Sequence, residues 1–137
     1  MIIGLVACCS KKLNTKSLAK DMYISSLFNY SIKYLNKRCD KVLILSAKYG
    51  LLELNEEIKP YNKTLNEMSK NDRINWSIKV LDELKIKTNL ENDTFIILAG
   101  KKYREELVKY IRNYDIPMKN LGIGKQLRFL KEDDTND

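Results

Sequence analysis

Three short aliphatic runs constrain the fold of this chain more than any other feature. Ile2 to Ala7, Val42 to Leu45 and Phe95 to Ala99 are apolar at almost every position and stop at a polar residue or glycine. Continuous apolarity over so few residues is the pattern of a strand buried on both faces, as in a parallel sheet. The segments between them carry helical periodicity. From Met22 to Leu35, Tyr23, Leu27, Phe28, Ile32 and Leu35 recur at three- and four-residue spacings, with Lys37 and Arg38 where a helix C-terminus favours cations. Ser69 with Asp72 resembles a capping box ahead of the stripe Ile74, Ile78, Leu81 and Leu84. A third helix is expected directly after Gly100, with Tyr103, Leu107, Ile111 and Tyr114 on one side. Strands alternating with helices predict an α/β fold, a three-layer sandwich with a mostly parallel sheet of three to four strands.

At 137 residues the chain has the material for one core. The expected division is a single α/β domain over residues 1–131 and a frayed acidic tail over 132–137. No apolar stretch approaches the length of a membrane span, and the first run leads into Lys11 and Lys12 rather than a cleavage site, so a cytoplasmic location without membrane association is expected. Cys8, Cys9 and Cys39 form neither a disulfide framework nor, with no histidine in the chain, a zinc-type spacing. Neither a metal nor another cofactor is expected. The absence of histidine also removes Ser-His and Cys-His nucleophile mechanisms, leaving acid-base chemistry to Asp, Glu, Lys, Tyr or Cys.

In an open parallel sheet the ligand crevice lies beyond the carboxyl ends of the strands. Those ends here read Cys8-Cys9-Ser10-Lys11-Lys12, Ser46-Ala47-Lys48-Tyr49-Gly50 and Ala99-Gly100-Lys101-Lys102-Tyr103-Arg104, with no carboxylate before Glu105. If the three loops meet, they form a basic, hydroxyl-bearing pocket suited to an anion. Lysines supply point charges and Arg104 a planar fork for phosphate. The formal charge of +7 agrees with an anionic ligand, although a lysine-rich solvated surface produces the same total. Asp21 stands where the basic first loop meets the first helix and is the best placed candidate for a base or a cation-stabilising carboxylate, with Glu105 in reserve. Pro60 stiffens the excursion Lys59 to Leu65, in which Thr64 with Glu67 caps a short turn and Tyr61 is held near the site. Gly122-Ile123-Gly124-Lys125-Gln126 offers backbone that approaches a ligand closely, followed by a lysine, without the spacing of a phosphate-binding loop.

These motifs, namely Cys8 to Leu13, Ser46 to Leu52, Pro60 to Leu65, Ala99 to Arg104 and Gly122 to Gln126, together with Asp21 to Phe28, resemble a family of small bacterial and phage proteins of unknown activity. The layout is also distantly similar to the uracil-DNA-glycosylase-like domains of archaeal tRNA base-exchange enzymes. That similarity implies handling of a base, a nucleoside or an N-glycosidic bond, without the histidine that glycosylases use. The expected function is a nucleotide- or nucleoside-processing enzyme, a hydrolase or transferase. Asp21 or Glu105 would be catalytic, Ser10, Lys11, Lys48, Arg104 and Lys125 would hold phosphate or ribose oxygens, and Tyr49 or Tyr61 would stack on the base. Cys9, Ser46 and Gln126 complete the expected ligand-binding set. The alternative is a non-catalytic nucleotide sensor or sponge, or a nucleic-acid-binding accessory protein of phage or mobile-element origin.

Overall fold

The computed structural model describes residues 1–135. Five strands form the main sheet, in the order β4 (Gly50–Glu53), β3 (Lys41–Ser46), β1 (Ile2–Ala7), β6 (Thr94–Leu98), β7 (Asn113–Asp115). The three aliphatic runs supply its centre: β1 (Ile2–Ala7), flanked in parallel by β3 (Lys41–Ser46) and by β6 (Thr94–Leu98). Side chains alternate between the faces of each strand and separate into two apolar clusters. Ile3, Leu5, Leu43, Leu45, Phe95 and Ile97 pack with Trp76, Val80 and Leu84 of α3 (Lys70–Lys87) and Tyr103 of α4 (Lys101–Arg104). Val6, Val42, Ile44 and Leu98 pack with Phe28 and Leu35 of α2 (Ser26–Asn36) and Leu130 of α5 (Ile123–Thr135).

The strand count exceeds the expected three to four. β4 (Gly50–Glu53) returns antiparallel on β3 after a tight turn, with Gly50 at φ 78° where other residues are strained. At the opposite edge, β7 (Asn113–Asp115) pairs in parallel with β6 and is exposed at every position. A strand with neither face covered has no reason to be apolar, which is why it left no hydrophobic signature. A separate two-stranded ribbon joins β2 (Ser17–Leu18) to β5 (Glu57–Ile58).

Local capping signals are realised where they were read. Ser69 Oγ accepts from Asp72 N at 3.1 Å and starts α3, and Thr64 Oγ1 accepts from Asn66 N at 3.2 Å above a 3-10 turn over Leu65–Glu67. Two helix expectations are corrected. The helix expected from Met22 to Leu35 starts later: Met22 closes a separate short helix, α1 (Ala19–Met22), Tyr23 is extended, and α2 starts with Ser25 Oγ accepting from Phe28 N at 3.1 Å. The expected helix after Gly100 stops at Arg104; a 3-10 turn (Val108–Tyr110) and β7 follow, so Tyr103, Leu107 and Ile111 are buried from irregular backbone while Tyr114 is exposed. Glu132 to Thr135, expected in a frayed tail, form the last turn of α5, where Asp133 receives the Arg38 guanidinium. That guanidinium holds the Asp133 carboxyl below its ordinary range. Residues 136 and 137 lie outside the described residues.

The close approach of α2 to the sheet depends on Gly4. A β-carbon there would lie 3.0 Å from Cys39 Sγ and 3.1 Å from the Leu35 side chain, which is fully buried. Gly4→Val is therefore expected to destabilise the fold by about 1–3 kcal/mol, read as a lower urea midpoint with unchanged slope.

Candidate functional site

Beyond the carboxyl ends of β1 and β6 opens a cleft of about 390 Å³. Its walls are the loop after β1 (Cys8, Cys9, Ser10), the turn into α4 (Gly100, Tyr103, Arg104), the start of α2 (Ser25, Phe28) and the start of α5 (Ile123, Gln126). Two of the three strand-end loops thus meet as expected. The first turns of α2 and α5 add backbone N–H groups and positive dipole ends at the same opening. The polar groups of the lining are hydroxyls, thiols, amides and the Arg104 guanidinium; among the described residues no carboxylate lines the cleft.

Several lining side chains are held by backbone. Arg104 Nη1 donates to Ala99 O at 2.7 Å, which anchors the guanidinium at the end of β6 and uses one of its five N–H groups. Gln126 Nε2 donates to Leu121 O at 2.8 Å, so the amide has a set orientation. Cys9 Sγ donates to Lys11 O at 3.2 Å. Cys8 Sγ lies 3.5 Å from Tyr103 Oη, which also receives the Leu65 N–H at 3.4 Å. Burial, with the neighbouring Cys8, pushes the Tyr103 phenol well above its ordinary range.

The third strand-end loop is placed differently. Because β3 turns straight into β4, Ser46 is fully buried, and it is the hub of a polar cluster rather than part of the cleft lining. Ser46 Oγ lies 2.8 Å from Tyr61 Oη and accepts from Tyr49 N at 3.0 Å, and its carbonyl accepts from Trp76 Nε1 at 2.9 Å. Tyr61 Oη in turn lies 2.7 Å from Tyr23 Oη. Burial pushes the Tyr23 phenol up to about 12 and raises that of Tyr61 strongly. The Lys12 ammonium sits 4.4 Å over the Tyr61 ring, and Tyr49 packs edge-on against it at 5.6 Å. The ring read as a base platform is therefore already sandwiched, and its hydroxyl is committed. Tyr49 Oη bridges the Lys59 backbone, donating to its carbonyl at 3.2 Å and lying 3.3 Å from its nitrogen.

Of the remaining expected site residues, Asp21 is exposed on α1 and lies outside the cleft lining, and Glu105 pairs with Arg73 at 3.7 Å. Lys11 is exposed and enters the local structure through its carbonyl, and Lys125 is exposed in the first turn of α5. Lys48 lies 5.3 Å over the Tyr49 ring and lines a second concavity. The cleft thus gathers Cys9, Ser10, Arg104 and Gln126 from the expected set. Sequence reasoning missed Ser25, Ser31 and Asn66 in its lining. Ser25 was visible in principle as the helix-capping serine ahead of a new apolar face; Asn66 carries no local signal.

Among the described residues, no group of His, Cys, Asp and Glu is arranged to hold a metal ion, and no helix is long and apolar enough to cross a membrane. No curated protein and no solved structure matches the chain. A family of unknown function, DUF6884, matches residues 3–132, and the chain belongs to that family.

Proposed function

We propose that the cleft binds a nucleoside or nucleotide as a small-molecule site of a nucleotide-binding protein. The observation that carries this reading is the lining: hydroxyls, thiols and amides with a backbone-anchored Arg104, two helix N-termini at the rim and no carboxylate among the described residues. Such a set neutralises phosphate without repelling it and offers hydrogen bonds to ribose and base. The volume of about 390 Å³ is in the range of small-molecule pockets. Taking the domain as a three-layer sandwich agrees with its two separate apolar clusters and puts the cleft at an edge where α/β sheets hold ligands. The binder is favoured over the processing enzyme because neither Asp21 nor Glu105 lines the cleft.

The test is a thermal-shift series at fixed salt with nucleosides, mononucleotides and cyclic nucleotides, followed by mass analysis of each hit. A ligand at a hundred times its Kd stabilises the protein by about 2.7 kcal/mol. Arg104→Met is expected to weaken a phosphate-bearing hit by about tenfold or more while changing a nucleoside hit little, since it removes a charged hydrogen-bond donor worth about 1.5–3 kcal/mol. No shift with any ligand would sink the reading. A hit whose mass changes on incubation would replace the binder with an enzyme.

A further inference from the structure

Positive charge on this molecule is neutralised selectively. Lys41 and Lys87 reach Glu53, Lys16 reaches Glu57, and Arg38 grips Asp133. The Glu53 and Asp133 pairs lie toward the amino end of β3, away from the carboxyl edge of the sheet. At that edge the pattern reverses. Lys48, Lys63 and Lys79 line a second concavity of about 460 Å³, into which the carboxylate of Asp72 also opens. Among the described residues none of the three is in an ion pair: Lys79 Nζ lies 3.5 Å from the Tyr49 carbonyl and Lys48 over the Tyr49 ring. Lys101 and Lys102, flanking the turn into α4, likewise carry no carboxylate partner. Lys102 Nζ donates to Asn66 O at 3.3 Å. Arg73 with Glu105 is the exception along this edge.

One short segment joins the two hollows. Lys63 and Met68 face the second concavity, while Asn66 lines the cleft. The lysines therefore run as a band from the cleft rim across this wall into the second hollow. Like charges gathered with Asp72 as the one carboxylate in the hollow's lining and no ion pair among them repel one another, and a polyanion that displaces their counterions relieves that repulsion. Lysine suits the task, being a mobile, strongly hydrated point charge rather than a fork that selects one geometry.

We propose that the carboxyl edge binds single-stranded nucleic acid, with backbone phosphates along Lys101, Lys102, Lys63, Lys48 and Lys79 and one unstacked nucleoside of the strand in the cleft. This inference rests on the reading of the cleft as a nucleoside site. The single-stranded form follows from the same geometry, because a concave site reaches a base only when that base is out of its stack.

The test is fluorescence anisotropy with a labelled strand of about twelve nucleotides, a length within the usual site sizes for single strands. It is run as RNA and as DNA over a salt series. Contact with three to five lysines is expected to give a log–log salt slope between about −2 and −4, against about −1 for a mononucleotide. The double variant Lys63→Glu, Lys79→Glu is expected to lose about tenfold or more in strand affinity and to keep its mononucleotide thermal shift. The control Lys85→Glu, Lys131→Glu makes the same charge change at two exposed lysines off the band and is expected to lose less than about threefold. Equal losses in both variants, a shallow salt slope, or a duplex of the same length binding as tightly would overturn the proposal while leaving the cleft reading intact. Absence of any mononucleotide shift in the wild type would remove the cleft reading and this inference with it.

Discussion

Trp76→Ala is expected to lower stability by about 3–5 kcal/mol, the usual cost of truncating a buried large aromatic. Trp76 is only 8% exposed, meets the Tyr103 ring edge-on at 5.8 Å and donates its indole N–H to the Ser46 carbonyl at 2.9 Å. Truncation leaves a cavity between α3 and the sheet and strips the Ser46 carbonyl of its donor where β3 turns into β4. Trp76→Phe separates the two contributions, because it retains most of the packing and loses the hydrogen bond, for an expected cost of about 1–3 kcal/mol. In a chain of this size the alanine variant should melt about 10 °C or more below the wild type. A loss under about 1 kcal/mol in urea titration would mean that the indole is not a keystone of this edge.

Stability is expected to collapse at alkaline pH, and the tyrosine cluster is the reason. Burial raises the phenol pKa values of Tyr23, Tyr61 and Tyr103 from their ordinary value of 10.0, that of Tyr23 to about 12. Folding favours the protonated phenol at all three. Their stabilising contribution is fully present below pH 10, where both states are protonated. Above pH 10 the unfolded chain ionises while the folded chain does not, so stability declines until the folded phenols also ionise. Each such group contributes a slope of about 1.4 kcal/mol per pH unit between its two pKa values. Urea titrations from neutral pH upward should show a flat region followed by a steep fall above pH 10. Tyr61→Phe removes one of the three groups and should make the fall shallower, while costing stability at neutral pH because Tyr23 and Ser46 each lose a partner. A stability that stays flat well above pH 10 would contradict the buried, hydrogen-bonded cluster.

How far the site was legible follows from the range of the interactions that build it. The carboxyl edge of β1 and β6 was readable because ligand crevices follow from strand direction, and the strands declared themselves by apolarity; hence Cys9, Ser10 and Arg104 were found. Tyr61 was read as a platform over the site, yet it belongs to the polar cluster around Ser46, outside the cleft lining. Its hydroxyl meets Tyr23 and Ser46, which lie 38 and 15 residues away in the chain, and no local pattern encodes such a meeting. Asp21 drew attention through its place between a basic loop and a helix, but α1 breaks at Tyr23 and the carboxylate lies outside the cleft lining. Gln126 was singled out with the glycine-bearing segment Gly122 to Gln126, which folds as the start of α5.

What the sequence by itself determined is the central parallel trio of strands, the capped start of α3 and the single-turn cap at Thr64. These depend on the burial of one continuous run, or on hydrogen bonds within a few residues, and both are written in adjacent positions. Tertiary structure alone decided that β4 and β7 complete the sheet, that α5 closes one side of the cleft, and that Ser46 at the end of β3 joins a buried polar cluster with Tyr61. The physical reason is shared. An exposed edge strand needs no apolar pattern, and a hydroxyl acquires its meaning only from the partner that folding brings to it.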